Sequence, residues 1–277
     1  MKDLINDLES QDYQKELLEV ILIDDHSDDE TFQIAEAAIA NSKIFRIISL
    51  PAGISGKKKA LKTGIEDSIG NLILTTDADC RFTKNWVKTM VKYFYNYPGH
   101  LLVGPVFLKE EKGFFNHFQS LEFLSLIASG AGAIGIGHPI MCNGANLGGN
   151  RSLFQKAGSI YNSSIASGDD IFLLLELKKH NSPVVFVKDN DAVVITNNQK
   201  SFGNYLSQRS RWTFKSRFYK DYDIISVAVI VLLTNLFLVS GLFYLPFSTS
   251  FADDYLLIYS IKSFADYILL YYVAKFF

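Results

Sequence analysis

Residues 224–247 hold no charged side chain, and no other feature narrows the fold of this chain as far. As a helix rising 1.5 Å per residue, about 24 residues cover the ~30 Å hydrocarbon core of a bilayer. The plainer reading is a buried core helix, but such a helix carries a polar face. This run offers only Ser226, Thr234, Asn235 and Ser240, so it reads as a transmembrane helix. A second apolar stretch, residues 255–277, is interrupted by Lys262 and Asp266. These two stand at i,i+4 and can pair on one helix face. The stretch reads as a second span or as an interfacial helix. Arg209, Arg211, Lys215, Arg217 and Lys220 crowd the side before the first run, and Asp253 and Asp254 lie after it. That asymmetry places residues 1–220 on the cytoplasmic side of the inner (plasma) membrane.

The chain therefore divides into a domain over residues 1–220 and a membrane region over 221–277 with one to two transmembrane helices. The N-terminus has no apolar h-region of a signal peptide. A formal net charge of −2 provides no basic field to draw nucleic acid. Cys80 and Cys142 form neither a disulfide framework nor a metal-type spacing.

Within the first domain, strands alternate with helices. Residues 1–18 read as a helix, 19–23 as a buried strand, 31–40 as a helix and 44–50 as a strand. Residues 57–68 read as a helix, 71–76 as a strand and 85–95 as a helix. The alternation predicts an α/β sheet with helices on both faces, in which ligands bind beyond the carboxyl ends of strands. Two acidic clusters fall at such ends: Asp24-Asp25 and Asp77-Ala78-Asp79. Residues 125–150, rich in Gly and small side chains, are expected to line a cleft.

Each cluster has a chemical and a plainer reading. Asp77 and Asp79 can share a divalent cation, Mg²⁺ or Mn²⁺, with substrate phosphates; the plainer reading is a solvated turn. Asp24 and Asp25 can hydrogen-bond a base and a ribose, while Ser27, Asp28 or Asp29 caps the next helix. His26 reads as exposed. Lys57, at a helix start behind Gly56, can meet a phosphate, and Lys58 and Lys59 read as a solvated basic face. Asp169 and Asp170, behind Ser167-Gly168, suit a helix N-terminus, and one of them can act as a general base. Gln208, Arg211 and Trp212 sit just before the apolar run. Arg211 can clamp a phosphate and Trp212 can stack on a sugar, or the segment is an interfacial belt.

Taken together and in this order, the motifs resemble the family-two glycosyltransferases of GT-A fold over about residues 4–220. The resemblance rests on Asp24, Asp25 and Ser27; on Gly56, Lys57, Ala60 and Leu61; and on Asp77-Ala78-Asp79. It rests also on Gly144 to Asn146, on Asp169-Asp170, and on the Gln-X-X-Arg-Trp of Gln208, Arg211 and Trp212. The last motif is characteristic of membrane-attached members.

The resemblance implies roles. Asp25, with Asp24, contacts the nucleobase, and Lys57 meets the nucleotide. Asp77 and Asp79 hold ribose, diphosphate and metal, Asp79 being the favoured metal ligand. Asp170 is the catalytic base, supported by Asp169. Gln208, Arg211 and Trp212 bind the diphosphate and the acceptor end. The implied reaction is an inverting sugar transfer from a nucleotide-sugar, UDP-linked by expectation. The acceptor is a polysaccharide, a glycolipid or a polyprenyl phosphate at the membrane, with membrane lipids as further partners. The alternative is a non-catalytic, glycosyltransferase-like membrane scaffold. The family opens with a hydrophobic strand and a nucleotide loop, and Met1 falls after that point. A central strand and part of the base pocket are therefore expected to be missing. Gly168 stands where many members have Thr.

Overall fold

The computed structural model describes residues 1–156, 169–245 and 249–276. The apolar run ahead of Asp25 becomes strand β1 (Val20–Asp24). Helix α2 (Thr31–Ile39) returns the chain to strand β2 (Phe45–Ser49), which pairs parallel with β1. Helix α3 (Lys57–Asp67) leads to strand β3 (Leu72–Thr75). Short strand β4 (Arg81–Phe82), helix α4 (Trp86–Asn96), and strands β5 (Leu101–Val103) and β6 (Val106–Leu108) follow. Helix α5 (Phe114–Gly135) then crosses to strand β7 (Leu147–Asn150) and helix α6 (Arg151–Lys156). Beyond the undescribed stretch come helix α7 (Asp169–Lys179) and strands β8 (Val184–Phe186) and β9 (Val194–Thr196). Helices α8 (Phe202–Ser216), α9 (Tyr222–Tyr244) and α10 (Thr249–Phe276) complete the described chain.

The expected alternation forms a mixed α/β architecture. Strand order is β1-β2, β3-β7-β5-β8 and β4-β9-β6. Strand β7 runs antiparallel to both β3 and β5, so the sheet is not uniformly parallel. The Gly-rich stretch therefore has a different use from the expected cleft lining. Residues 125–135 belong to α5, and Gly148 lies inside the sheet, where a Cβ would come within 2.8 Å of Leu74 and 3.1 Å of Met90. Glycine lets β7 pass between a neighbouring strand and α4.

Two apolar cores cover the two sheet faces. One gathers Leu4 and Leu8 of α1 (Lys2–Glu9) with Trp86, Val87 and Met90 of α4. The other gathers Ile65 of α3 with Ile73, Phe154, Leu174 and Leu177. The expected helix over residues 1–18 ends at Glu9 instead. Beyond it, backbone and side-chain groups bond to residues 83–87: Gln11 Nε2 donates to the Thr83 carbonyl (2.8 Å), its Oε1 accepts from Val87 N–H (2.9 Å), and Asp12 N–H reaches the Lys84 carbonyl (2.7 Å). These partners replace the helical ones. A 3-10 turn, Lys15–Leu17, follows.

Strands β1 and β3 are not paired with each other. A cavity of about 1170 Å³ opens between them, lined by consecutive residues of both strands. Strand β1, although apolar from Val20 to Ile23, is only half-buried.

Helix α9 is capped by the Asp221 side chain, which accepts from Ile224 N–H at 3.1 Å. The α7 residue Lys178 ties this end down. Its ammonium donates to Asp221, to Asp223 (2.8 Å) and to the Pro139 carbonyl (2.9 Å). In the α9–α10 pair, Tyr255 Oη donates to the Leu238 carbonyl (2.9 Å), and its ring lies where a Cβ on Gly241 would sit. Lys262 and Asp266 form the expected ion pair. Segments Tyr222–Tyr244 and Phe251–Phe276 are long and apolar enough to cross a membrane, by length and composition, and few of their residues are buried. Helix α10 also lies along α5, and Lys188 Nζ sits 4.5 Å above the Phe276 ring.

One ion pair fastens α1 to strand β4. Arg81 donates from Nε (2.5 Å) and a terminal nitrogen (2.9 Å) to the Asp7 carboxylate, which also accepts from Phe82 N–H (3.1 Å). Burial pushes the Asp7 pKa up, but the Arg81 and Phe82 hydrogen bonds and the Arg81 charge outweigh it, and the net pKa lies below the ordinary 3.8. Folding thus favours the ionised form. Its contribution is full above the ordinary carboxylate range and is lost as the pH falls through the depressed value. Asp7→Asn is expected to cost about 1 kcal/mol at neutral pH, discounted because half of the Arg81 side chain meets solvent. Thermal melts of both proteins across pH should show the gap closing in acid below 3.8.

Candidate active site

The carboxyl ends of β1 and β3 meet at the start of α3. Gly56 caps that helix with φ +101°, a left-handed conformation that side chains disfavour. Its N–H donates to Asp25 Oδ2 at 2.8 Å. The next residue, Lys57, reaches Asp77 Oδ1 with Nζ at 2.5 Å. Asp24 accepts from Ser27 N–H (3.3 Å), and the exposed His26, at φ +58°, contacts the Ile54 carbonyl with Nε2 (3.0 Å). The N-cap of α2 is Glu30, which makes no side-chain cap bond, in place of the expected Ser27, Asp28 or Asp29; Asp29, one position earlier, accepts from Thr31 N–H (2.9 Å). At the opposite strand ends, Glu19 accepts from Ile69 N–H (3.1 Å). Strands β1 and β3 therefore point the same way, with Asp24, Asp25 and Asp77 together at the carboxyl edge. Lys58 departs from the expected solvated face: it is buried, with Nζ 5.0 Å from the Phe172 ring centroid. The α3 helix turns it inward onto α7.

Asp77 and Asp79 turn to different partners. Asp77 faces Lys57, whereas Asp79 Oδ2 accepts from the Thr196 hydroxyl on β9 at 3.0 Å. The turn between them closes with Cys80 N–H on the Asp77 carbonyl (3.2 Å). Burial pushes the Cys80 thiol up to about 11, helped by the charges of Asp77 and Asp79. Cys80 is thus a packed neutral thiol. Among the described residues, no three His, Cys, Asp or Glu side chains gather into a cage. Asp77 and Asp79 supply at most two protein carboxylates, a donor set that fits Mg²⁺ or Mn²⁺ completed by substrate phosphates and water.

The middle of the chain links this edge to Asp170. Thr75 Oγ1 donates to the Gly144 carbonyl (2.9 Å), and Gly144 N–H donates to Asp170 Oδ2 (3.3 Å). Asp170 Oδ1 accepts from Ile171 N–H at the start of α7 (2.8 Å), and Cys142 Sγ contacts the Asp170 carbonyl (3.3 Å). Tyr219 lies close by. Burial, then the negative charge of Asp170, raises its phenol to about 12, so it remains a neutral hydroxyl. Ser167, Gly168 and the Asp169 side chain lie outside the described residues. Asn146 has a packing role. Its carboxamide accepts from Trp86 Nε1 (3.1 Å) and donates to the Pro105 and Ala192 carbonyls (both 2.8 Å).

Helix α8 carries Gln208, Arg211 and Trp212. Gln208 accepts from Arg209 (2.6 Å), and Arg211 is exposed. Trp212 packs on Phe123 of α5, with the Arg209 guanidinium 4.2 Å from its ring. Arg209, which the sequence marks only as one of the basic residues before the apolar run, orders this cluster. Arg209 donates from Nε to Glu122 Oε1 at 2.9 Å and makes a second contact to Oε2. Nothing in the sequence flags a pair 87 positions apart, and the same holds for Thr196 beside Asp79.

The model of the family "Glycosyl transferase family 2" matches residues 1–158, more than half of the chain. The chain belongs to this family. Poly(ribitol-phosphate) beta-N-acetylglucosaminyltransferase TarS of Staphylococcus aureus strains Mu50 and MW2 is 27% identical over 101 residues, 36% of this chain and 18% of that protein. The crystal structure of S. aureus TarS 1-349 in complex with UDP-GlcNAc aligns at TM-score 0.51 and 16% identity, covering 73% of this chain and 56% of that one. The S. aureus TarS structure aligns at 0.53 and 16%, covering 90% and 41%. At such identity the structures speak for the fold. The chain spans about half or less of the length of these relatives.

The Glu122–Arg209 pair is mostly buried, with 27% and 18% of the side chains exposed. Glu122→Gln leaves the guanidinium without its counter-charge and should cost about 2 kcal/mol, a fall on the order of 5 °C in Tm. The indole fluorescence of Trp212 should shift with it.

Proposed function

We propose that this chain is an inverting glycosyltransferase that moves a sugar from a UDP-sugar to a glycan or lipid-linked acceptor at a membrane. The observation that carries the reading is the convergence of Asp25, Lys57 and Asp77 at the α3 N-terminus, with Asp170 tied through Gly144 to Thr75, at the end of β3 two residues before Asp77. Family membership supports sugar transfer, and the TarS structures with UDP-GlcNAc and UDP support a uridine nucleotide as the donor's leaving group.

The roles follow from chemistry. Asp24 and Asp25 accept hydrogen bonds from the nucleobase and ribose. Lys57, at a helix N-terminus, exchanges its contact with Asp77 for a diphosphate oxygen. Asp77 and Asp79 hold the cation that, when bound, neutralises the departing diphosphate. Asp170 takes the proton from an acceptor hydroxyl. That oxygen bonds to the anomeric carbon as the bond from this carbon to the diphosphate oxygen breaks, and UDP leaves with the electron pair. Attack opposite the leaving group inverts the configuration. Asp169 supports Asp170, while Gln208, Arg211 and Trp212 border the diphosphate and the acceptor end. Helices α9 and α10 anchor the domain, with its basic α8 end on the cytoplasmic face of the plasma membrane.

The cavity between β1 and β3 favours a second reading, a non-catalytic relative acting as a membrane scaffold, because it leaves the nucleobase side open. Calorimetry with UDP and Mn²⁺ separates the two. The enzyme reading expects binding that chelation by EDTA abolishes and that Asp79→Asn weakens at least tenfold. Asp170→Asn should lower transfer by about 100-fold or more with UDP affinity within about twofold. Absence of UDP binding by the full chain would sink the enzyme reading.

A further inference from the structure

The geometry points to Thr196 as a positioning residue for the Asp79 carboxylate: its hydroxyl holds Oδ2, so that Oδ1 is presented to the divalent cation. The inference rests on the proposed cation site at Asp77 and Asp79. Sheet register brings the two side chains together across 117 positions of sequence. Strands β4 and β9 pair antiparallel, with Arg81 opposite Ile195 and Phe82 opposite Val194. Continued by one position, that register sets Cys80 opposite Thr196 and leaves Asp79 on the diagonal. There the Thr196 hydroxyl donates to Asp79 Oδ2 at 3.0 Å.

The end of β9 is pinned from its other side too. Thr196 lies opposite Leu108 of β6, and its carbonyl accepts from Lys109 N–H (2.8 Å). Just beyond, Asn198 Nδ2 donates to the Lys109 carbonyl (2.7 Å). The buried Gln119 of α5 then grips the Gln199 main chain twice. Its Oε1 accepts from the Gln199 N–H (2.9 Å), and its Nε2 donates to the Gln199 carbonyl (3.2 Å). A β-branched side chain on so fixed a backbone has few χ1 states. The Thr196 hydroxyl is therefore a rigid point against which the carboxylate rests.

The two aspartates are held in different ways. Lys57 brings a full positive charge to Asp77 Oδ1, so a cation arriving at Asp77 has an ammonium group to displace. Thr196 is a neutral donor. It fills one acceptor position of Asp79 and leaves the charge of that carboxylate uncompensated. The contact of Cys80 Sγ with Oδ1, at 3.9 Å, is that of a weak thiol donor. Among the described residues, Asp79 has no ion-pair partner, and the residue is exposed. Asp79 is thus the carboxylate ready for a cation before the nucleotide arrives, and its aim is set from β9. A ligating carboxylate ordinarily leans on such a partner, and losing the partner lowers metal affinity roughly 10–100-fold.

The test uses the full chain in detergent and reads Mn²⁺ binding from the electron paramagnetic resonance of the free ion, with UDP absent and present. Thr196→Val keeps the size and the β-branch and removes only the donor. It should weaken Mn²⁺ binding about tenfold in both conditions, with Tm lowered by no more than about 3 °C. Thr196→Ser returns the hydroxyl and should recover the affinity to within about threefold of the unaltered chain. Thr196→Ala, read against the same serine variant, serves if valine unfolds the chain. A purely structural role predicts a lower Tm with Mn²⁺ affinity unmoved, and equal affinity in the unaltered and valine chains overturns the assignment. So does a loss of affinity that serine does not repair. Asp79→Asn in the same assay separates this inference from the reading it rests on. Weaker Mn²⁺ binding in Asp79→Asn but not in Thr196→Val removes the role of Thr196 alone. An unaltered chain that takes up no Mn²⁺ with UDP present removes the cation site, and the role of Thr196 with it.

Discussion

At the N-terminus of α3, one backbone N–H and one ammonium group reach in opposite directions. Gly56 holds Asp25 beyond β1, and Lys57 holds Asp77 beyond β3. No ladder hydrogen bonds join those strands, so this helix end and the Glu19–Ile69 contact at its other end carry the alignment of the β1–β2 sheet with the four-stranded sheet. The positive end of the helix dipole lies between the carboxylates. The same contacts that align the two sheets also collect the acidic groups of the candidate site.

Much of this was legible in the sequence. The apolar runs at 19–23 and 44–50 and the helical pattern at 57–68 were read within one or two residues, because local periodicity decides such elements. The carboxylates at Asp24-Asp25 and Asp77 were placed correctly at strand ends for the same reason. What was not legible depends on distant partners. Gln11 and Asp12 leave the helix for residues 83–87, Lys58 turns inward onto Phe172, and Gly148 serves sheet packing. Within the candidate site, Thr196 beside Asp79 and Glu122 beside Arg209 come from far along the chain. No spacing rule links them.

The open edge between β1 and β3 also bears on how the domain folds. Each unit has its own local logic: a parallel β1–α2–β2 turn on one side and a sheet centred on β7 and β5 on the other. Their union rests on helix α3 and on the apolar contacts of α1 and α4. Parallel pairing over long separations is slow to form, and this chain joins its two units through helices.

Lys178 and Asp170 stand at opposite ends of one short rod, α7. The ammonium grips the first turn of α9 through Asp221 and Asp223, while the carboxylate rests on Gly144. Eleven residues of helix make a stiff lever. The tilt of the long apolar helix and the aim of the Asp170 carboxylate are therefore not independent variables. Any force that tilts the long apolar helix would register mechanically at the carboxylate, with no ligand carrying the message.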